Sequence, residues 1–199
     1  MQQFHTSEAT SGGLTVLLCQ GTDKEGREHT ASKRYTKNGH GFVKLSDYNM
    51  GWQFAAIPHV ADDLTELASL VSELGHQPSA VIVRGELDRA YYDAKKADPD
   101  YLIRRRKVDK NDGIPAHLTE VDRAWGMFDI DGYPLNPDDD LADDPGAVIQ
   151  RCIGDLLPEE LRDATYFWQL SSSAGLVEGV LKVHLWFWCD RSYSSTCAA

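Results

Sequence analysis

Nine residues near the carboxyl end of the chain, residues 181–189, alternate in the manner of a β-strand. Successive side chains of a strand point to opposite faces, so Lys182 and His184 share one face with two tryptophans. Val183, Leu185 and Phe187 form the other face, which must be buried against a second layer. The aromatic segment 165–171 and a short Ser/Gly-containing connection precede this strand, which predicts an antiparallel pair.

The rest of the chain predicts a mixed α/β protein. Two helices are expected, one after Asp63 with Glu66 three residues later and Gly75 at its end, and one after Asp144-Pro145. Further strands are predicted over 14–19, 52–57, 80–84 and 125–130. The polar stretches 21–41 and 91–110 show little periodicity, and the second is predicted to be a loop with at most a helical turn.

Length and composition bound the class of protein. With 199 residues we expect one domain, divided into an N-terminal module of about 1–115 and a second half of about 116–199. A hydrophobic share of 42% excludes collagen, coiled coil and wholesale disorder. No apolar run approaches the roughly 20 residues that span a bilayer, and no basic, apolar leader opens the chain, so we expect a cytoplasmic protein without membrane partners. The four cysteines form no C-x-x-C pair.

Charge is unevenly distributed along this acidic chain, whose net charge is −11. Residues 129–163 hold eleven acids and two bases, whereas residues 84–110 hold nine bases and six acids. Arg84 and the run Arg104, Arg105 and Arg106 are therefore candidates for contacts with nucleic-acid phosphates, and a solvated basic loop is the alternative. The acids of 138–144 are interpreted as a solvated loop before a helix.

The sequence Asp129-Ile130-Asp131-Gly132 carries the sharpest chemical signal. Residues i and i+2 of a strand share a face, which places the two carboxylates roughly 7 Å apart. Two such carboxylates repel each other unless a cation lies between them, and hard oxygen ligands suit Mg²⁺ or Mn²⁺. We expect a metal site at Asp129 and Asp131, with two surface acids at a strand end as the alternative.

Lys182 and His184 place a cation and an imidazole on one strand face near a Ser-rich loop. This combination suits the binding of a triphosphate, with Ser171 and Ser173 as further nucleotide-binding candidates. The alternatives are a structural histidine and serines that satisfy turn backbone groups. The sequence contains no P-loop and no G-x-G-x-x-G.

These motifs together resemble the catalytic core of archaeo-eukaryotic-type primases, especially the primase-polymerase domains of plasmid and phage replication proteins. The resemblance rests on Asp129-Ile130-Asp131, on the Ser-rich loop and Lys-Val-His-Leu-Trp-Phe strand about fifty residues later, and on the strand-like segment 77–85. It covers about residues 60–190.

The resemblance implies an α/β (α+β) fold with an RRM-like antiparallel sheet and an N-terminal α/β module. It implies template-directed nucleotidyl transfer in replication, with DNA, nucleoside triphosphates and a helicase domain or protein as partners. Asp129 and Asp131 would match the metal-binding acids for Mg²⁺ or Mn²⁺, and His184 the nucleotide-binding histidine. Lys182 stands where the family usually has a small residue. The family's third acid lies on a later strand, for which Asp190 is a weak substitute, so we expect a chain truncated at its carboxyl end.

Two alternatives stay open from the sequence. Phe128-Asp129-Ile130-Asp131-Gly132 also resembles the opening motif of haloacid-dehalogenase-type phosphatases, in which Asp129 would be the nucleophile and Asp131 the acid/base. That motif normally continues with Thr, whereas Tyr133 follows here. A protein that binds nucleotide or DNA without catalysis is the other alternative.

Overall fold

A computed structural model describes residues 12–39 and 41–194. This part of the chain forms ten strands and four helices. In chain order they are β1 (Gly13–Cys19), β2 (Arg34–Asn38), β3 (Gly41–Ser46), β4 (Phe54–Val60), α1 (Leu64–Leu74), β5 (Ala80–Val83), β6 (Glu86–Leu87), α2 (Arg89–Ala97), β7 (Leu118–Thr119), β8 (Arg123–Pro134), α3 (Pro145–Leu156), α4 (Glu159–Arg162), β9 (Tyr166–Leu170) and β10 (Val180–Tyr193). The coarse expectation of a mixed α and β fold is confirmed.

The N-terminal sheet has the strand order β4-β1-β5, and both of its pairings are antiparallel. The strands β4 and β5, which α1 connects, therefore lie parallel with β1 inserted between them, a split β-α-β unit. The predicted helix start is confirmed: the Asp63 carboxylate accepts from the backbone N–H of Glu66 at 2.9 Å, and the Glu66 carboxylate accepts from that of Asp62. Leu67 and Val71 bury the inner face of this helix.

The C-terminal sheet has the order β8-β10-β9 and repeats this topology. The predicted antiparallel pairing of the two aromatic strands is confirmed as β9 with β10. Here α3 connects β8 to β9, and β10 lies between them. The Asp144 carboxylate caps α3 by accepting from the backbone N–H of Ala147 at 3.0 Å. A buried cluster joins α3 to one face of the sheet through the following residues: Val148, Ile149, Cys152, Ile153, Leu181, Val183, Leu185 and Phe187.

An aromatic seam joins the two sheets. Trp125 of β8 and Trp186 of β10 lie with ring centroids 5.8 Å apart, in one buried cluster with Leu14 and Val16 of β1. The Trp125 indole N–H donates to the carbonyl of Gly13 at 3.0 Å. The opposite face of the C-terminal sheet packs against β1 and α1 in this cluster, which also includes Leu67, Val71 and Phe167.

One prediction about a polar segment was wrong, and a hairpin in the other polar segment was not predicted. Residues 89–97 form α2 instead of a loop, because the Asp88 carboxylate caps the first turn and buried Tyr91 anchors the helix. Within 21–41 the backbone enters the hairpin β2–β3, whose exposed strands lack the apolar alternation that predicts a strand. In the described part of the chain, no helix has the length and apolar character needed to cross a bilayer.

Candidate functional site

The candidate site begins at a bulge in β8. Leu181 pairs with Tyr133 and Lys182 pairs with Asp131, so Gly132 is an extra residue in its strand. Gly132 has φ 131°, a conformation that a side chain rarely permits. The bulge reverses the alternation: Asp131 is exposed, whereas Tyr133 is buried in the core beside α3.

Cross-strand pairing assembles the polar side chains of this face into two rows. In one row Asp131 lies opposite Lys182, and the backbone N–H of Ser171 donates to the Lys182 carbonyl at 3.0 Å. In the next row Asp129 lies opposite His184, which lies opposite Gln169. The predicted placement of Asp129 with Asp131, and of Lys182 with His184, is confirmed, and the structure brings these two pairs together on one face.

Each carboxylate of the site has a basic neighbour. Lys182 forms an ion pair with Asp131, and His184 Nε2 lies 3.4 Å from Asp129 Oδ1. Both aspartate side chains are 62% exposed, whereas Lys182 is only 14% exposed. The hydrogen bond from Lys182 holds the pKa of Asp131 below its ordinary value, with smaller contributions from the charges of Lys33 and His184. The face therefore holds carboxylates and basic side chains side by side.

The donor set suits a divalent cation that shares its coordination with substrate. Within the described ranges, no group of three or more His, Cys, Asp and Glu side chains has the arrangement of a metal site. Mg²⁺ is commonly held by one or two carboxylates, with water and substrate phosphates as its other ligands, and Asp129 and Asp131 supply two. Asp190 lies six residues beyond His184 in the same strand, about 20 Å away at strand spacing, and so lies apart from this pair.

The two candidate serines occupy different environments. Ser171 extends β9 beside Lys182, so it lies at the edge of the polar rows. Ser173 is 5% exposed, and its hydroxyl lies 3.4 Å from that of Ser171. Ser171 is therefore the candidate serine that a ligand could contact. Ser173 could contribute only through its hydroxyl contact with Ser171.

The four candidate arginines do not form one cluster of contacts. Arg84 stacks over Tyr193, with its guanidinium carbon 4.5 Å from the ring centroid, and it also lies over Trp125. Arg106 makes a two-pronged contact with Asp112, which holds the pKa of that carboxyl well below its ordinary value. Arg104 and Arg105 are fixed to a neighbouring segment through the Trp52 carbonyl and the Met50 sulfur.

Sequence reasoning missed two residues of the site. Gln169 is the polar member of β9 in the His184 row, and its amide nitrogen lies near Gly75 at the end of α1. Period-two alternation of Phe167, Gln169 and Ser171 could have placed it there. Lys33, far from Asp131 in the sequence, contributes through its charge to the lowered pKa of that carboxyl, and no local pattern could indicate this.

Comparison with known proteins yields no relative for this chain. No family model, curated protein or solved structure matches it.

Proposed function

We propose that the chain is a metal-dependent nucleotidyltransferase of the primase-polymerase type, which joins nucleotides on a DNA template during replication of a plasmid, phage or mobile element. The observation that carries this proposal is the pair of cross-strand rows, in which Asp129 and Asp131 lie directly opposite His184 and Lys182. The split β-α-β unit with β10 in its centre also supports the RRM-like half that the resemblance implies.

The geometry supports the following assignment of roles. Asp129 and Asp131 would hold Mg²⁺ or Mn²⁺, which when bound lowers the pKa of the attacking hydroxyl and offsets phosphate charge. Lys182 and His184 donate hydrogen bonds to the phosphate oxygens of the incoming nucleotide. Lys182 exchanges its partner from Asp131 to phosphate, so nucleotide binding frees a carboxylate oxygen in the same step. Ser171 donates a hydroxyl hydrogen bond at the edge of the row.

The phosphatase alternative loses its structural basis. Haloacid-dehalogenase-type enzymes place their motif in a Rossmann-like domain, which is built on a mostly parallel sheet. Every strand pairing in residues 12–39 and 41–194 is antiparallel. We therefore propose no phosphatase activity for Asp129 and Asp131.

The test is incorporation of a labelled nucleotide on a primed DNA template with Mg²⁺ or Mn²⁺. Asp129→Asn and Asp131→Asn should each reduce incorporation by at least about 100-fold, because each removes charge stabilisation of the transition state. Asp143→Asn is the matched control, since Asp143 is an exposed acid in the loop before α3. His184→Ala should raise KM for nucleotide more than it weakens DNA binding.

Two results would contradict the proposal. Full activity of the Asp129→Asn/Asp131→Asn double variant would remove these acids from catalysis. Saturable nucleotide binding by the unaltered chain, without incorporation of ribo- or deoxynucleotides under either metal, would assign the polar face to binding alone.

A further inference from the structure

The hairpin β2–β3 is a basic segment of this acidic chain. Residues 33–46 contain Lys33, Arg34, Lys37 and Lys44 and no acid, and Lys44 forms an exposed ion pair with Asp47, immediately after β3. Both strands are exposed along almost their whole length. A concentrated positive surface on a protein of net charge −11 attracts polyanions locally, although the whole molecule does not.

One face of this hairpin alternates aromatic rings and cations. Tyr35 lies opposite Lys44, and Lys37 lies opposite Phe42. Residues two apart on a strand share a face, so these four side chains lie together on one face, with each ring opposite an ammonium group. Phe42 is 57% exposed, which leaves most of its ring in contact with solvent.

We infer that this face of β2–β3 binds single-stranded nucleic acid. Bases stack on exposed aromatic rings with little dependence on sequence, and lysines between the rings neutralise the backbone phosphates. A base-paired duplex buries the π-faces of its bases in its own stack, so the two rings favour an unpaired strand. An anionic lipid surface would satisfy the lysines but offers no flat rings for Phe42 and Tyr35 to stack upon.

The face is separate from the polar rows: β2 and β3 pair with each other in a two-stranded sheet of their own, and neither belongs to the sheet that holds Asp129 and His184. The inference goes beyond the proposed function, because binding of a strand here requires neither metal nor nucleotide.

Fluorescence anisotropy of a labelled oligo-dT 20-mer, titrated with the full chain, tests this inference. Phe42→Ala should weaken binding about 5- to 150-fold, since stacking contributes about 1–3 kcal/mol per base. Lys37→Ala/Lys44→Ala should lower the slope of log Kd against log salt by about 1.4, at about 0.7 per phosphate contact. Lys96→Ala, in α2, is the matched control. It should leave both the affinity and the slope of log Kd against log salt near those of the unaltered chain.

The outcomes separate this inference from the catalytic proposal. Asp129→Asn/Asp131→Asn should abolish incorporation and retain oligo-dT binding, so each claim can fail without the other. Three results would overturn the inference: equal affinity of Phe42→Ala and the unaltered chain, tighter binding to a duplex of the same length, or binding only to phosphatidylserine vesicles. Sedimentation that shows a dimer abolished by Phe42→Ala would instead assign the face to a second copy of the chain. Circular dichroism confirms that each variant is folded.

Discussion

The two three-stranded sheets share one topology and differ in what covers them. Each is a split β-α-β unit with an extra strand in its centre, β1 in the N-terminal sheet and β10 in the C-terminal sheet. Nearly all of β1 is buried, and apolar clusters pack on both of its faces. By contrast, β10 is covered on one face by α3, and on the other face the cover is complete at Trp186 and partial at His184.

The difference shows where polar side chains on the central strand of such a sheet become accessible to a ligand. At Trp186 the cross-strand row is apolar, and it belongs to the seam between the sheets. One row further along β10, the cover is partial: His184, 30% exposed, lies opposite Asp129, and Gln169 of the same row still lies near the end of α1. The polar rows therefore lie on a strand whose other face is a packed core, which would hold the proposed catalytic groups more firmly than a mobile loop would. The N-terminal sheet has no such uncovered polar row in its central strand.

The largest effects should come from the centres of the two cores. Phe187→Ala in β10 should lower the free energy of unfolding by about 3–5 kcal/mol, and Leu17→Ala in β1 by about 2–5 kcal/mol. Both side chains are at most 1% exposed. Urea denaturation measures both values, with Val177→Ala as an exposed control. Because the two sheets share the Trp125–Trp186 seam, both variants should unfold in one transition; two separate transitions would show that the sheets are independent.

The sequence predicted the parts of this comparison that depend on local patterns. Alternation located β10 and its two faces, and the caps at Asp63 and Asp144 located α1 and α3. It could not predict which face would be uncovered, because that depends on packing between segments far apart in the chain. The hairpin β2–β3 escaped detection for a related reason: it packs little, so it shows no apolar periodicity.

Gly132→Ala tests the bulge that separates the exposed acids from the core. A Cβ at Gly132 meets no neighbour within 4 Å, so the cost comes from the backbone conformation alone. Forcing alanine to φ 131° should cost about 1–3 kcal/mol, and relief of the strain would turn Asp131 away from Lys182. Urea denaturation measures the cost. Gly154→Ala, in α3 and also without close neighbours, is the control and should be neutral or stabilising.

Loss of the aspartate caps of α1 and α3 should lower the free energy of unfolding by a smaller and nearly equal amount. Asp63→Ala and Asp144→Ala should each cost about 1 kcal/mol, because each removes an acceptor for a first-turn backbone N–H. Asp63 also belongs to a reciprocal cap with Glu66, so Glu66→Ala should add to the loss in α1. Asp→Asn at either site retains the acceptor oxygen and should restore most of the stability. Losses above about 2 kcal/mol would indicate a role beyond capping.

The smallest expected effect concerns the ion pair between Lys182 and Asp131. Lys182→Gln should raise the pKa of Asp131 toward its ordinary value, because the hydrogen bond from Lys182 is the largest cause of its lowering. Lys33→Gln should raise the pKa less, and His184→Gln least, in the order of their contributions. A carboxyl held below its ordinary pKa stabilises the fold above that ordinary value, and this contribution is lost as pH falls through the lowered pKa. Lys182→Gln should therefore reduce the acid sensitivity of unfolding in that window. Carbon-13 NMR titration of the Asp131 carboxyl measures the shift; an unchanged pKa in Lys182→Gln would show that the pair does not persist in solution and that Asp131 is already free to take a cation.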